Sequence, residues 1–173
     1  MKCSSLRLCG KDSGRSEAEG LGSRILVAGL GNLLLRDDGV GVHAIRELRR
    51  KVPKGILAVE VGTAVLDALH LFERADKLLA IDAMQAGGTP GTIYAFRLSE
   101  VEDRPARASL HEVDLLSALR LLPGHQPEVM VLGVEPEIID YGLTLSPRVA
   151  DAVPRLVEEA RRVLSRWAPQ HRM

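Results

Sequence analysis

The sequence predicts an α/β fold: a five-stranded, mostly parallel sheet with helices on both faces, a three-layer α/β/α sandwich with one antiparallel strand. Three observations carry that expectation. Short apolar runs rich in β-branched residues alternate with stretches whose apolar residues recur at helical spacing. The turn-rich connection Ala86-Gly-Gly-Thr-Pro-Gly91 is too short for a crossover helix, so the strand after it must reverse. The chain has 173 residues and no linker-like segment dividing its body, which suits one domain with a substantial core.

The elements follow in order from Arg24. Residues 24 to 30 read as a first strand, and residues 39 to 51 as a helix through Val42, Ile45 and Leu48, ended by Pro53 and Gly55. Ile56 to Val61 is a second apolar run, expected to be a buried strand. Thr63 is placed to cap a helix with Val65, Leu66, Leu69 and Phe72 on one face, ending near Arg74. Lys77 to Asp82 forms a third strand, and Thr92 to Leu98 the reversed fourth.

Ser99 to Leu110 is charged and reads as a solvated loop, after which Val113, Leu116, Leu119 and Leu122 mark a third helix. Glu128 to Val134 is the fifth strand and Glu135 to Thr144 a loop. Ser146-Pro147, a cap followed by proline at the first helical position, opens a last helix through Val149, Val153, Leu156, Val157, Ala160, Val163, Leu164 and Trp167. Residues 1–23 read as a disordered tail, 24–167 as a single domain and 168–173 as a C-terminal tail.

Composition excludes several function classes. Lys plus Arg and Asp plus Glu are both 23, so a net charge of +0 leaves no electrostatic footprint for nucleic acid. No apolar run approaches the ~18 residues needed to cross a bilayer, and the tail lacks the apolar core of a secretory signal, which points to the cytoplasm. Both cysteines, Cys3 and Cys9, lie in that tail without companions for a metal site. No G-x-S-x-G elbow and no body cysteine supplies a nucleophile.

Chemistry concentrates on Ile25 to Gly41. Gly29-Leu-Gly-Asn32 after the first strand resembles the start of a dinucleotide fingerprint, with Glu60 in the position of a ribose-binding acid, but Leu34 stands where the third glycine belongs and Asp37-Asp38 bring negative charge toward a phosphate. Either carboxylate can cap the following helix. One cap suffices, which leaves Asp38 to face the strand ends. Asp82 closes an apolar strand, where a charge must reach water, a donor or a cation. In sheets of this kind polar site residues gather beyond the carboxyl ends of the strands where strand order reverses, so Asp38 and Asp82 converge if strands one and three are neighbours.

His111, at the start of the third helix, reads either as a cap or as the nitrogen completing an oxygen, oxygen, nitrogen set suited to a borderline divalent metal. His43, His70, His125 and His171 lack helical metal-site spacing and read as structural or solvated, while Glu112 and Asp114 read as solvent-facing or capping.

Over residues 24 to 166 the chain resembles the maturation endopeptidases of nickel-iron hydrogenases. The resemblance rests on Gly29-Leu-Gly-Asn32 with Asp37-Asp38-Gly39-Val-Gly41, Ala80-Ile-Asp82-Ala83, Pro90-Gly91-Thr92, Ser109-Leu-His111 and Gly133-Val-Glu-Pro136. It implies an aspartyl-protease-like hydrolase that removes the C-terminal extension of a hydrogenase large-subunit precursor after nickel insertion. It also implies adjacent first and third strands, and metal contacts at Asp38, Asp82 and His111, the two aspartates also being the catalytic candidates. The nickel would arrive with the substrate rather than reside in the enzyme. A nucleotide-binding module and a non-catalytic hydrogenase assembly chaperone are the alternatives. Where many relatives carry an acidic residue and glycine before Gly62-Thr63, this chain has Glu60-Val61.

Overall fold

The computed structural model describes residues 24–100, 115 and 117–168. Its five strands are β1 (Ile25–Leu30), β2 (Ile56–Gly62), β3 (Lys77–Ala83), β4 (Ile93–Arg97) and β5 (Glu128–Val134). They form one sheet in the order β2-β1-β3-β5-β4, with β4 antiparallel to β5 and every other pair parallel. The reversed strand therefore lies where the short 86–91 connection demands an antiparallel return, although its hydrogen-bonding partner is β5 rather than β3. Strand order turns between β1 and β3: from β1 the chain goes outward to β2, then returns across to β3.

Two apolar layers follow from the period-2 alternation of the central strands. Ile25, Val27, Leu79, Ile81 and Leu132 face α1 (Val40–Leu48) and α4 (Pro147–Trp167). Leu26, Ala28, Leu78, Ala80 and Val131 face the other side, against Phe72 of α2 (Leu69–Phe72) and against Leu115, Ala118 and Leu119 of α3, helical at 115 and 117–120. The periodic face of α4 foreseen from Val149 to Trp167 packs on the first layer throughout.

Three expectations need correction. β2 is not a buried strand: it is an edge strand, with Leu57 half exposed and Val61 its only buried residue. A short apolar run does not distinguish centre from edge, because both need one covered face. Thr63 does not open a helix. Bonds from Ala68 N to Val65 O and from Leu69 N to Leu66 O make tight turns, and one helical turn follows. The buried side chains are Val65, Ala68 and Phe72, with Leu66 mostly exposed, and spacings of three and four residues are met as well by such turns as by an α-helix. Ser146 holds the N-cap position of α4 with Pro147 after it, but its hydroxyl makes no capping bond. The tail with Cys3 and Cys9, the loop beyond Glu100, Val113, Leu116 and His171 lie outside the described residues.

No described helix is long and apolar enough to cross a membrane.

Candidate active site at the strand-order reversal

The first βα connection is shaped by close backbone approach. A Cβ at Gly41 would strike the carbonyl oxygens of Leu30 and Ile81, so glycine there lets α1 lie directly on the ends of β1 and β3. Gly31 takes φ +102, and a Cβ there would strike the carbonyl oxygen of Asp38 and stand 3.5 Å from Asp82 Oδ1. The two glycines thus bring the acidic turn and the end of β3 together around Gly31, at the place where strand order reverses.

Arg36–Gly39 forms a 3-10 turn running into α1, and neither aspartate caps that helix with its side chain. Asp38 reaches back instead: its Oδ2 accepts the N–H of Asn32 at 2.8 Å. Asp82 Oδ1 accepts the N–H of Ala83 at 2.8 Å. Asp38 is 8% exposed and Asp82 wholly buried, so a ligand coming from solvent meets Asp38 first. A cavity of about 290 Å³ adjoins this turn, lined by Gly31, Asn32 and Leu33 on one side and by Glu60, Gly62 and Thr63 of the β2 end on the other.

Asp37 has a different task. Fully buried, it accepts three backbone N–H groups: Oδ2 from Glu137 at 2.9 Å and Ile138 at 2.8 Å, and Oδ1 from Ser146 at 2.6 Å. Its carboxylate ties the acidic turn to the loop after β5 and to the entrance of α4. The second of two adjacent acids is therefore left at Gly31, while the first holds the frame.

The backbone donors that a phosphate would need are already engaged. Gly31 N donates to Gly62 O, Asn32 N to Asp38, Leu34 N to Asn32 Oδ1 and Leu35 N to Asn32 O. Glu60 is held by Arg46 at 3.0 Å and Arg49 at 2.8 Å. This loop lacks the open nest of N–H groups that cradles a pyrophosphate.

His111 lies outside the described residues; of the other two predicted ligands, Asp82 places its Oδ1 and Asp38 its backbone carbonyl at Gly31. Among the described residues no group of three or more His, Cys, Asp or Glu side chains is arranged to hold a metal ion. His43, half buried on α1, has its Nε2 buried with no hydrogen-bond partner among the described residues; burial, then Arg46, lowers its pKa and keeps the ring neutral. His70 bonds the carbonyl of Asp67 within its own turn, and His125 lies near Asp76 at the surface.

A residue not singled out from the sequence as a site group is Glu135. It is buried just beyond β5 and accepts bonds from Ala86 N at 2.9 Å, Gly87 N at 3.2 Å and Tyr94 Oη at 2.8 Å. It thereby organises the turn that follows Asp82 on β3. The signal was present: like Asp82, Glu135 ends an apolar strand, where a carboxylate must find donors. Burial is the largest influence and pushes its pKa up, but bonds from Ala86, Tyr94, Gly88 and Gly87 outweigh it and leave the carboxyl below its usual 4.5. A lowered native pKa means stability that is complete above the unfolded value and lost as pH falls through the folded one. Thermal unfolding of the parent should therefore show an acid-dependent loss beginning near pH 4.5 that is reduced in Glu135→Gln. Identical pH profiles for the two proteins would contradict this role.

The sequence model described as hydrogenase maturation protease matches residues 42–163. The hydrogenase expression/formation protein HupD of Bradyrhizobium diazoefficiens is 33% identical over 153 residues, covering 84% of this chain and 80% of that protein. The hydrogenase 2 maturation protease of Escherichia coli is 32% identical over 146 residues, covering 79% and 87%. Among solved structures, the hydrogenase maturating endopeptidase HybD from E. coli superposes with a TM-score of 0.75 at 29% identity, covering 83% of this chain and 93% of that one. HybD from Thermococcus kodakarensis gives 0.71 at 29% identity, covering 81% and 98%.

Proposed function

The chain belongs to the hydrogenase maturation protease family, and from that premise we propose that it removes the C-terminal extension of a nickel-iron hydrogenase large-subunit precursor once nickel has been inserted. The observation that carries the reading is the convergence at Gly31 of the turn that bears Asp38 and the end of β3 that bears Asp82, at the strand-order reversal and next to a cavity that Gly31 lines. Two carboxylates with little solvent access favour an arriving cation over a phosphate or a neutral group.

On this reading nickel is part of the substrate. Asp38 and Asp82 offer oxygen and His111 nitrogen, a donor set suited to a borderline divalent ion. Nickel carried by the precursor supplies positive charge beside the scissile bond, and recognition of it makes cleavage conditional on metal insertion. The aspartates hold that charge and orient the peptide segment against the end of the sheet. The reaction takes place in the cytoplasm, where the precursor matures.

The test is mass spectrometry of purified large-subunit precursor incubated with the enzyme, with and without nickel loading. The expected result is a C-terminal truncation with nickel and none without it. Stable binding without truncation would replace the protease reading by that of an assembly chaperone, and equal cleavage of both forms would remove nickel from the recognition step.

A further inference from the structure

Apolar side chains left in water at one place need a reason. Among the described residues, every strongly exposed large hydrophobic other than Leu57, Leu66 and Leu121 falls on two short segments: Leu34 on one, and Ile138, Ile139, Tyr141 and Leu143 on the other. Leu34 is 59% exposed, Leu143 68% and Tyr141 84%.

The segments are fastened into one surface. Gly142 N donates to Leu34 O at 3.0 Å, Arg36 N to Gly142 O at 3.0 Å and Asp37 N to Ile138 O at 3.3 Å. Arg36 Nε reaches the carbonyl of Tyr141, and Arg36 itself is held at φ +49, which is rare for a residue with a side chain. The Asp37 carboxylate closes the clip from beneath. This surface is built on the same turn as the candidate site, since Asp38 N donates to Leu35 O and Asp38 receives the N–H of Asn32.

We infer that the Leu34–Tyr141–Leu143 surface is the docking site for an apolar face of the folded large-subunit precursor, next to the segment that is cut. The inference rests on the precursor-processing reading above. Two arguments select this occupant over a second copy of the chain. The surface is bonded to the turn that carries Asp38, so a protein whose scissile bond reaches Asp38 lies beside it, whereas a self-association there would crowd the site. Five exposed apolar residues make a patch on the order of a few hundred Å², below the ~800 Å² per partner of a standard stable interface, which suits an anchor in a transient complex.

The surface also explains why Asp37 is buried under three N–H donors: docking against loops is effective when they are rigid before the partner arrives. Tyr141 is the expected anchor, because aromatic side chains dominate binding energy at such surfaces.

The test compares the parent, a Tyr141→Ser/Leu143→Ser double variant, Leu34→Ser and, as a control away from the surface, Leu121→Ser. Thermal unfolding confirms that each folds. Initial cleavage rates are measured by mass spectrometry over a range of nickel-loaded precursor concentrations. The double variant should raise KM by about tenfold or more, with kcat within about twofold, as expected for losing a binding anchor without touching the chemistry. Leu34→Ser should raise KM less, and Leu121→Ser should match the parent. An unchanged KM in the double variant overturns the proposal. So does a parent that is dimeric in sedimentation while the double variant is monomeric, because a second copy then covers the surface. If the parent does not cleave, the processing reading fails on its own; sedimentation binding of uncleaved precursor then decides the docking surface, supported if the double variant loses it and overturned if it does not.

Discussion

Asp38→Asn should fold like the parent and cleave the precursor more slowly by roughly a hundredfold to a thousandfold, the scale seen when one preorganised electrostatic contact is removed from an active site. Asparagine keeps an oxygen that can accept the Asn32 N–H, so the turn around Gly31 retains its bond. What disappears is the negative charge. If nickel on the precursor is read by carboxylates, that charge is the part with no substitute, and both kcat/KM and the discrimination between loaded and unloaded precursor should fall. Parent-like cleavage by a folded Asp38→Asn protein would remove Asp38 from the chemistry.

Asp37→Ala should give the opposite phenotype, a protein whose thermal midpoint collapses. Alanine leaves the N–H groups of Glu137, Ile138 and Ser146 facing a buried void. Unsatisfied buried donors cost about 1–3 kcal/mol each, so with the Ser146 donor buried and the other two part-buried the three together are worth on the order of 5 kcal/mol. For a domain of this size that corresponds to a drop of roughly 10–20 °C, measurable by circular dichroism. A change of less than about 3 °C, on the same scale, would mean the loop after β5 does not depend on this carboxylate. Adjacent in sequence, the two aspartates should separate cleanly by assay, one reporting on rate and the other on stability.

How much of this was legible in the chain differs from element to element. The strand boundaries of β5 and the whole apolar face of α4 followed from periodicity, because burial of a repeating face is a local property of the sequence. The reversal of β4 followed from a connection too short to hold a crossover helix. Asp82 could be selected because a charge at the end of an apolar strand must be used by something, and Asp38 as the acid left over if its neighbour caps the helix, although neither side chain caps it. The edge position of β2 and the tight turns before α2 were not legible, since each depends on what lies alongside in space. Glu135 carried the same end-of-strand signal as Asp82, but its partners Ala86, Gly87 and Tyr94 lie more than forty residues away, and no spacing in the sequence announces them.

The order of apolar and polar residues alone thus determined the α/β class, the reversed strand and a short list of acids at strand ends, since these depend on side-chain period and on chain length between elements. The sequence also singled out Asp38 over Asp37 to face the strand ends; only the tertiary structure decided that Asp37 is buried as a clamp rather than capping the helix. That choice is set by the direction of a 3-10 turn and by three N–H groups contributed from residues 137 to 146, about a hundred positions along the chain. The exposed surface on Leu34 and Tyr141 was decided there too: its residues are far apart in sequence and become one surface only when backbone bonds between the two loops close.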